Sequence, residues 1–575
     1  MKFKEHKFML VNALAIAFLV FFPNIILPFL AGGDYRGINS GNFESDEWQY
    51  LAHGREILDG HSLGNFILKE GKDGPNVQQI YVEQLLMFPY KLFGATDVNV
   101  EAVFNIWGFI GVFLLSVIIY FLALELTADK IVSVLAPVFI IGGYNLIVRY
   151  PILFSGYGTD FNVYARPIRP LFSAIFLFLF LYFFNKCLKE TNKKYIYLSG
   201  ATLGALFYVY FYAWTYAGAV IFVSLLLNAV LRDFGQIKKI VLVGVTALAV
   251  GAYPLIKLFS VINSELGRRL LFFSGETLSG SFVFSKIALV PVFLLIPYFY
   301  KNRMQKNSIL LFSLFLGNWF VLNQHIITGR EIQPWHYFWY FVIPVSIFVV
   351  LIIAADLLKS FKYKNILFCS IILLIYGYMG IHQYRGTFAT FEIKKYLQRY
   401  GAAIDYLNKD STPGVILASQ YLDQLLFIVH TPHDLFWADG AQTLNTPEEK
   451  IYDVFYVYTY LNKDARNNFF DYYSKVKTAE KNFTDRNYYY MLLGTVAGFN
   501  AHKTGKSELE VKKELEAKYS DISKNKNNIV EILRKYGVNY IVWDKEKNPE
   551  WDLKFITGLE EVLRSESLYL YKIKY

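Results

Sequence analysis

Eleven apolar runs crowd the first 383 residues and limit this chain to one kind of architecture, a bundle of membrane-spanning helices. The runs cover residues 8–30, 102–124, 131–148, 170–184, 195–212, 214–231, 240–259, 282–300, 309–322, 337–355 and 366–381. Inside lipid a backbone must satisfy its own N–H and C=O groups, which a helix does within itself. Several runs are short and need snorkelling flanks or a thinned bilayer, and the pair split at Ala213 is the closest to being one. The first run follows Lys2, Lys4 and Lys7 but contains Pro23 and Pro28 and has no clear small-residue cleavage site, so it is read as a helix rather than a signal peptide. Hydrophobic residues make up 54% of the 575 and charged residues only 18%, too apolar for an ordinary soluble multidomain protein.

Charge then orients the bundle. Of the 57 Lys+Arg and 47 Asp+Glu, 30 and 21 fall in the first 383 residues and 27 and 26 in the rest, so the net charge of +10 belongs to the membrane half and no nucleic-acid partner is expected. With the N-terminus inside, the inner segments hold 17 basic and six acidic residues, and the other loops of this half hold 13 and 15. That is the positive-inside asymmetry. It puts the first long loop (31–101) and everything after the last run outside the cytoplasmic (inner) membrane. Two cysteines, Cys187 and Cys369, both in or beside apolar runs, exclude a disulfide framework and a Cys-based zinc site.

From about Gln383 the pattern becomes soluble α/β: polar helices at 507–519 and 528–535 alternate with apolar strands at 414–418, 540–543 and 568–573. The expected division is a transmembrane domain over 1–383 and an extracytoplasmic α/β domain over 384–575, whose sheet needs at least one further strand. No internal repeat stands out, which disfavours transporters built from duplicated halves.

Polar chemistry concentrates in the outer loops. The 31–101 loop carries Asp34 and then the stretch Glu44-Ser45-Asp46-Glu47-Trp48, with Ser45 as a helix cap and a short helix over 46–58. Acids in a first helical turn are favoured by the helix dipole whatever a protein does. Asp46, Tyr50 and His53 nevertheless share one face at i, i+4, i+7 spacing and could line one cavity. Further on, Val77, Ile80, Tyr81, Leu85 and Phe88 form a stripe suited to a helix lying in the interface. The second outer loop places Asp160 before two proline-flanked arginines, Arg166 and Arg169, which either snorkel to headgroups or bind phosphate. Later loops add Lys257, then Arg330 and His336 together just above the bilayer, beside belt aromatics Trp335, Tyr337 and Trp339. Acids facing a ring of cations at one mouth suit a lipid-linked phosphate whose tail lies between helices, with a hydroxyl acceptor meeting a carboxylate.

One helix before a long outer loop, an Asp46-Glu47 pair opening a short helix there, a multi-pass bundle and a terminal extracytoplasmic domain together resemble the GT-C superfamily of integral-membrane glycosyltransferases, which includes protein O-mannosyltransferases and aminoarabinose transferases of lipid A. The resemblance covers the membrane half well and the C-terminal domain only in style. It implies a polyprenyl-phosphate sugar donor, inverting transfer outside the cytoplasm to a glycan, lipid or protein hydroxyl, and Asp46 as the base with Glu47 beside it. Asp160 matches a second-loop acid that several members use. Arg330 and His336, then Arg166 and Lys257, are the residues taken as donor-phosphate ligands, with Asp34, Tyr50, His53 and Arg169 around them. No Trp-Trp-Asp sequence is present, which argues against transfer of a whole oligosaccharide to Asn. Metal use varies across the superfamily and the chain has no compact metal-binding loop, so a divalent metal stays an open question. A transporter or flippase of a lipid-linked or anionic substrate is the main alternative, disfavoured because most charges lie at helix ends. A non-catalytic glycan-binding relative is another. Tyrosines at 452–460, 472 and 488–490 either stack on sugars or fill an ordinary core.

Overall fold

The computed structural model describes residues 6–39, 45–76, 78–149, 161–273, 280–302, 306–330, 333–410, 412–419, 424–438, 440–469, 471–472 and 486–575. Each of the eleven apolar runs is helical there. The first is α1 (Lys7–Ala31); the long loop after it holds α2 (Ser45–Asp59) and α3 (Tyr81–Leu92). The bundle continues with α4 (Val100–Thr127), α5 (Lys130–Pro137), α6 (Tyr144–Arg149), α7 (Leu171–Lys189), α8 (Lys194–Val209), α9 (Phe211–Val230), α10 (Phe234–Val250) and α11 (Ala252–Ile262). After α12 (Glu265–Phe273) come α13 (Lys286–Asn302), α14 (Lys306–Asn323), the short α15 (His325–Thr328) and α16 (Pro334–Tyr337), α17 (Ile343–Leu357) and α18 (Lys364–Leu397). Six of these segments are long and apolar enough to cross a membrane unaided, and the bent pair α10 and α11 would make a seventh. This is a multi-pass membrane protein.

Two of the expected straight helices break, each for a visible reason. The 131–148 run is α5, a π turn over Val138–Gly142 and a separate α6: Pro137 has no N–H to donate, and the helix widens after it. The 240–259 run bends by 66° between α10 and α11. Pro254 removes a hydrogen-bond donor in the first turn beyond the bend, and Gly251 leaves room for the Phe207 ring of α8 to close against it.

Helix α18, by contrast, is 34 residues long and passes through Gln383 unbroken, so it carries the chain from the bundle into the sheet domain as one rod. Beyond it lie α19 (Gly401–Leu407), α20 (Leu425–His430), α21 (Glu448–Leu461), α22 (Lys463–Asn467), α23 (Arg486–Thr504), α24 (Glu508–Ser523) and α25 (Lys526–Lys535). Five strands, β1 (Val415–Ala418), β2 (Asp434–Leu435), β3 (Val538–Asp544), β4 (Leu559–Ser565) and β5 (Leu568–Ile573), form one sheet in the order β2-β1-β3-β5-β4. Strands β2, β1 and β3 run parallel, and β5 pairs antiparallel with β3 and β4. The two strands that the sequence pattern does not mark are the two-residue β2 and the polar edge strand β4, whose Glu560 and Glu561 face solvent.

The long first loop ties bundle to sheet. Ile67 accepts from the Leu435 N–H at 2.9 Å, so the loop backbone runs beside β2. Lys72 reaches Glu56 at 2.9 Å and Asp434 at 2.5 Å, Lys450 reaches Glu70 at 3.1 Å, and Asn65 donates to Thr446 at 2.9 Å. Burial pushes the Lys450 ammonium down to about 8 against the opposing pull of Glu70. On α3 the expected stripe divides: Ile80 is buried, Leu85 and Phe88 are exposed, and Val77 lies outside the described residues.

Candidate functional site

The second loop is pinned before it reaches its arginines. Asn162 donates to the Ile141 carbonyl at 2.8 Å, accepts from the Tyr164 N–H at 3.0 Å, and its own N–H is held by Gln383 of α18 at 3.2 Å. The backbone then turns through Pro167 and Pro170, whose fixed φ limits where the side chains between them can point. Arg166 and Arg169 both end up 8% exposed, well below the snorkelling position open to them on the sequence.

Around them the loop helices and membrane helices contribute tyrosines. Arg166 donates to the Tyr340 hydroxyl, and its guanidinium lies over that ring. Arg169 donates to the Gln79 carbonyl just before α3 and stacks between Tyr50 of α2, at 5.4 Å, and Tyr210 at the junction of α8 and α9, at 5.1 Å. The Tyr210 hydroxyl meets His336 Nδ1 of α16 at 2.6 Å, and the His336 ring packs edge-on against Tyr212 at 4.8 Å. Arg166, Arg169, His336 and Tyr50 therefore belong to one cluster, drawn from three separated stretches of sequence. Arg169 Nε is buried and, among the described residues, has no hydrogen-bond partner. A buried guanidinium with an unused donor is costly in a dry interior and is satisfied by an anion.

Beneath the cluster, Glu83 of α3 is fully buried and accepts from His53 Nδ1 at 3.2 Å. Burial works against its ionisation, but the hydrogen bond from His53 and the positive charge of Arg169 hold its carboxyl below the usual range. His53, 1% exposed with its ring edge on Phe66 at 4.3 Å, is sealed under the helix rather than lining a mouth. One neighbour of Arg169 thus supplies a counter-charge from the protein side, and the other face of the guanidinium is left to the tyrosines.

The remaining expected residues are placed elsewhere. Glu47, in the first turn of α2 and one turn from Tyr50, is buried and lies within electrostatic reach of Lys394. The side chains of Asp46 and all of Asp160 lie outside the described residues. Lys257 of α11 sits 5.7 Å over the Tyr81 ring in a cleft with Asn76, Gln78 and Gln79, next to the arginine cluster across the Gln79 backbone. Arg330 is exposed on the turn after α15, held by Thr328 and Gln324. Asp34 is exposed too, 3.6 Å from Lys395, in a different groove of about 430 Å³ shared with Arg36, Arg399 and Glu566. Among the described residues no three His, Cys, Asp or Glu side chains are grouped to hold a metal.

Residues that the sequence reading passes over complete the cluster. Tyr210, Tyr212 and Tyr340 look like ordinary apolar-run aromatics, and Gln79 acts through its backbone. Glu83 carries one legible mark: it is a lone carboxylate on the buried side of an otherwise apolar short helix.

No family model matches the sequence, and no curated protein sequence matches it. Solved structures do. The archaeal oligosaccharyltransferase AglB from Archaeoglobus fulgidus, in complex with an inhibitory peptide and a dolichol-phosphate, superposes over 99% of this chain and 74% of its own with a TM-score of 0.50 at 12% identity. ArnT from Cupriavidus metallidurans bound to undecaprenyl phosphate aligns over 96% of this chain and 97% of its own at 10% identity, TM-score 0.47, and its apo form over 96% of each at 12% identity, TM-score 0.47. With a helical bundle, a long first loop bearing α2 and α3, and a terminal sheet domain in one chain, the fold is that of the GT-C integral-membrane glycosyltransferases.

Proposed function

We propose that this protein is a membrane glycosyltransferase that takes a sugar from a polyprenyl-phosphate donor and passes it, with inversion, to a hydroxyl of a glycan, lipid or protein outside the cytoplasm. The observation that carries the reading is the pair of buried arginines, Arg166 and Arg169, held among tyrosines, of which Tyr50 follows Glu47 by one turn of α2, with Arg169 Nε unused. Two buried guanidiniums supply the charge that complements a dianionic phosphate monoester. The fold supports it as well, since the oligosaccharyltransferase with which this chain superposes is in complex with a dolichol-phosphate.

In this reading the guanidiniums and His336 Nε2–H neutralise charge as it grows on the leaving phosphate oxygen, which lowers the barrier because the donors are already in place. With the Tyr210 hydroxyl as donor in its 2.6 Å contact to His336 Nδ1, Nε2 is the ring nitrogen that carries a proton toward the phosphate. Asp46 takes the acceptor proton as the hydroxyl attacks C1 from the face opposite the phosphate. Lys257 and Arg330 lie further out and steer the anionic headgroup. A divalent metal is not needed for these steps and is not excluded by them.

The test is to incubate the purified protein with a panel of polyprenyl-phosphate sugars and follow donor consumption and release of free polyprenyl phosphate. At least one donor is consumed, and Asp46→Asn abolishes its consumption while the melting temperature shows the variant to be folded. A panel in which nothing is bound or consumed overturns the reading.

A further inference from the structure

The cleft beside the arginine cluster has first-loop residues on one wall and α11, the helix that follows the 66° bend, on the other. Two ring contacts hold the walls together: Tyr81 packs edge-on against Tyr208 of α8 at 5.1 Å and against Tyr253 of α11 at 6.2 Å. Asn76, 5% exposed, lines the cleft; its Oδ1 accepts from the Gln78 N–H at 2.6 Å, while its Nδ2, among the described residues, has no hydrogen-bond partner. A buried amide with an idle donor costs free energy until something accepts from it. From the opposite wall comes Lys257, whose Nζ lies 5.7 Å over the Tyr81 ring and, among the described residues, makes no ion pair. Among the described residues no Asp or Glu lines the cleft. An uncompensated ammonium and an idle amide donor with no carboxylate between them call for an anion. The open space is about 20 Å³. That holds one or two water-sized groups, which matches the two oxygens of a carboxylate and excludes a whole sugar ring.

We propose that this cleft is a specificity subsite in which Lys257 Nζ and Asn76 Nδ2 take the carboxylate of an acidic sugar carried by the donor. Gln79 joins the two places: its carbonyl accepts from Arg169, its side chain is pinned by Nε2 to the Phe207 carbonyl at 2.8 Å, and the residue lines the cleft. A phosphate among the arginines therefore leaves the sugar attached to it beside the cleft. A neutral sugar leaves both donors unpaired, which is how a polar site rejects an analogue that lacks the matching group. The link to the donor rests on the glycosyltransferase reading; the carboxylate preference of the cleft does not.

Polyprenyl-phosphate glucuronate and polyprenyl-phosphate glucose differ by one carboxylate, and titrating each into the full-length protein in zwitterionic nanodiscs reads the preference. Wild type binds the glucuronate donor about tenfold or more tightly than the glucose donor. Lys257→Gln closes most of that gap. Asn76→Asp keeps an oxygen for the Gln78 N–H but puts a carboxylate where the idle donor stood, so it reverses the preference. Melting temperatures confirm that each variant is folded, and should Asn76→Asp not fold, Lys257→Gln decides. Equal affinity of wild type for the two donors overturns the proposal, as does an equal fall for both in Lys257→Gln, which would make the lysine a contact of the phosphate or of lipid headgroups. Tighter binding of polyprenyl diphosphate than of either sugar donor puts a second phosphate in the cleft and overturns it too. If no lipid-linked ligand binds, the glycosyltransferase reading fails and free glucuronate still decides the cleft: at saturation it slows amide exchange over 76–81 and 252–262 in wild type but not in Lys257→Gln, and free glucose slows it in neither. Exchange unchanged by glucuronate overturns the proposal.

Discussion

Arg169→Lys keeps the positive charge at the candidate phosphate site and removes the planar fork, which makes it the sharpest test of how the cluster works. Arg169 gives one N–H to the Gln79 carbonyl and stacks between Tyr50 and Tyr210, while Nε points into the buried cluster without a partner. A lysine at this position cannot serve the carbonyl and a ligand in the same fixed geometry. Loss of one hydrogen bond to a charged group costs about 1.5–3 kcal/mol, and the flat stack on tyrosine contributes roughly 0.5–2 kcal/mol more. If the ligand takes the first of these, affinity for a polyprenyl phosphate falls about 10- to 150-fold. The assay is a titration of sugar-free polyprenyl phosphate into the purified protein in nanodiscs, with melting temperature recorded alongside to separate binding from folding. Arg330→Ala is the control, because that side chain is exposed on a turn away from the cluster and its loss should weaken binding less than threefold. Wild-type affinity in Arg169→Lys together with loss of binding in Arg330→Ala would refute the assignment and move the phosphate out to the rim.

Two further expectations concern the first loop as the joint between bundle and sheet. Gly71→Ala strains a backbone at φ +77° and drives a methyl into the Asn445 carbonyl, so the melting temperature drops and amide protection is lost first around 62–74 and 441–446; an unchanged exchange pattern there would show that the joint is not formed this way. His61 is held protonated to higher pH than usual by its hydrogen bond to Glu56 at 2.6 Å, so its contribution is complete below the ordinary histidine range and is lost as pH rises through the elevated value; the melting temperature of His61→Ala should fall short of wild type at pH 5.5 and converge with it by pH 8.5.

How far the residues can be read without coordinates differs from one part of the site to another. Arg166 and Arg169 are legible because two arginines between prolines at a membrane boundary are conspicuous, and His336 because it follows a polar interruption between apolar runs. Their depth is not legible: whether such an arginine snorkels or is sealed under tyrosines depends on which helix covers it, and here α2, α3 and the α8–α9 junction do so, Tyr50 standing 119 positions before Arg169 (169 − 50). The i, i+4, i+7 face of α2 is a correct geometric pattern with two destinations, since Tyr50 meets Arg169 while His53 turns down to satisfy the buried carboxylate of Glu83. Lys394 and Lys395 are indistinguishable in sequence, and only the fold, which brings the Asn39 carbonyl and the Phe161 ring to Lys394, buries one and leaves the other wet.

Apolar run length, prolines and the sign of loop charges act locally, one helix or loop at a time, and so the amino-acid sequence by itself decided that this chain is a helical membrane bundle followed by an α/β segment. Strands β2 and β4 escaped it because an edge strand carries no apolar alternation, and the bend after α10 escaped it because hydropathy does not register backbone geometry. What only the tertiary structure decided is which charges are desolvated together. The energy of a buried ion pair depends on the separation and dielectric between groups that have no fixed spacing along the chain, and that separation exists only once the loops have closed over the bundle.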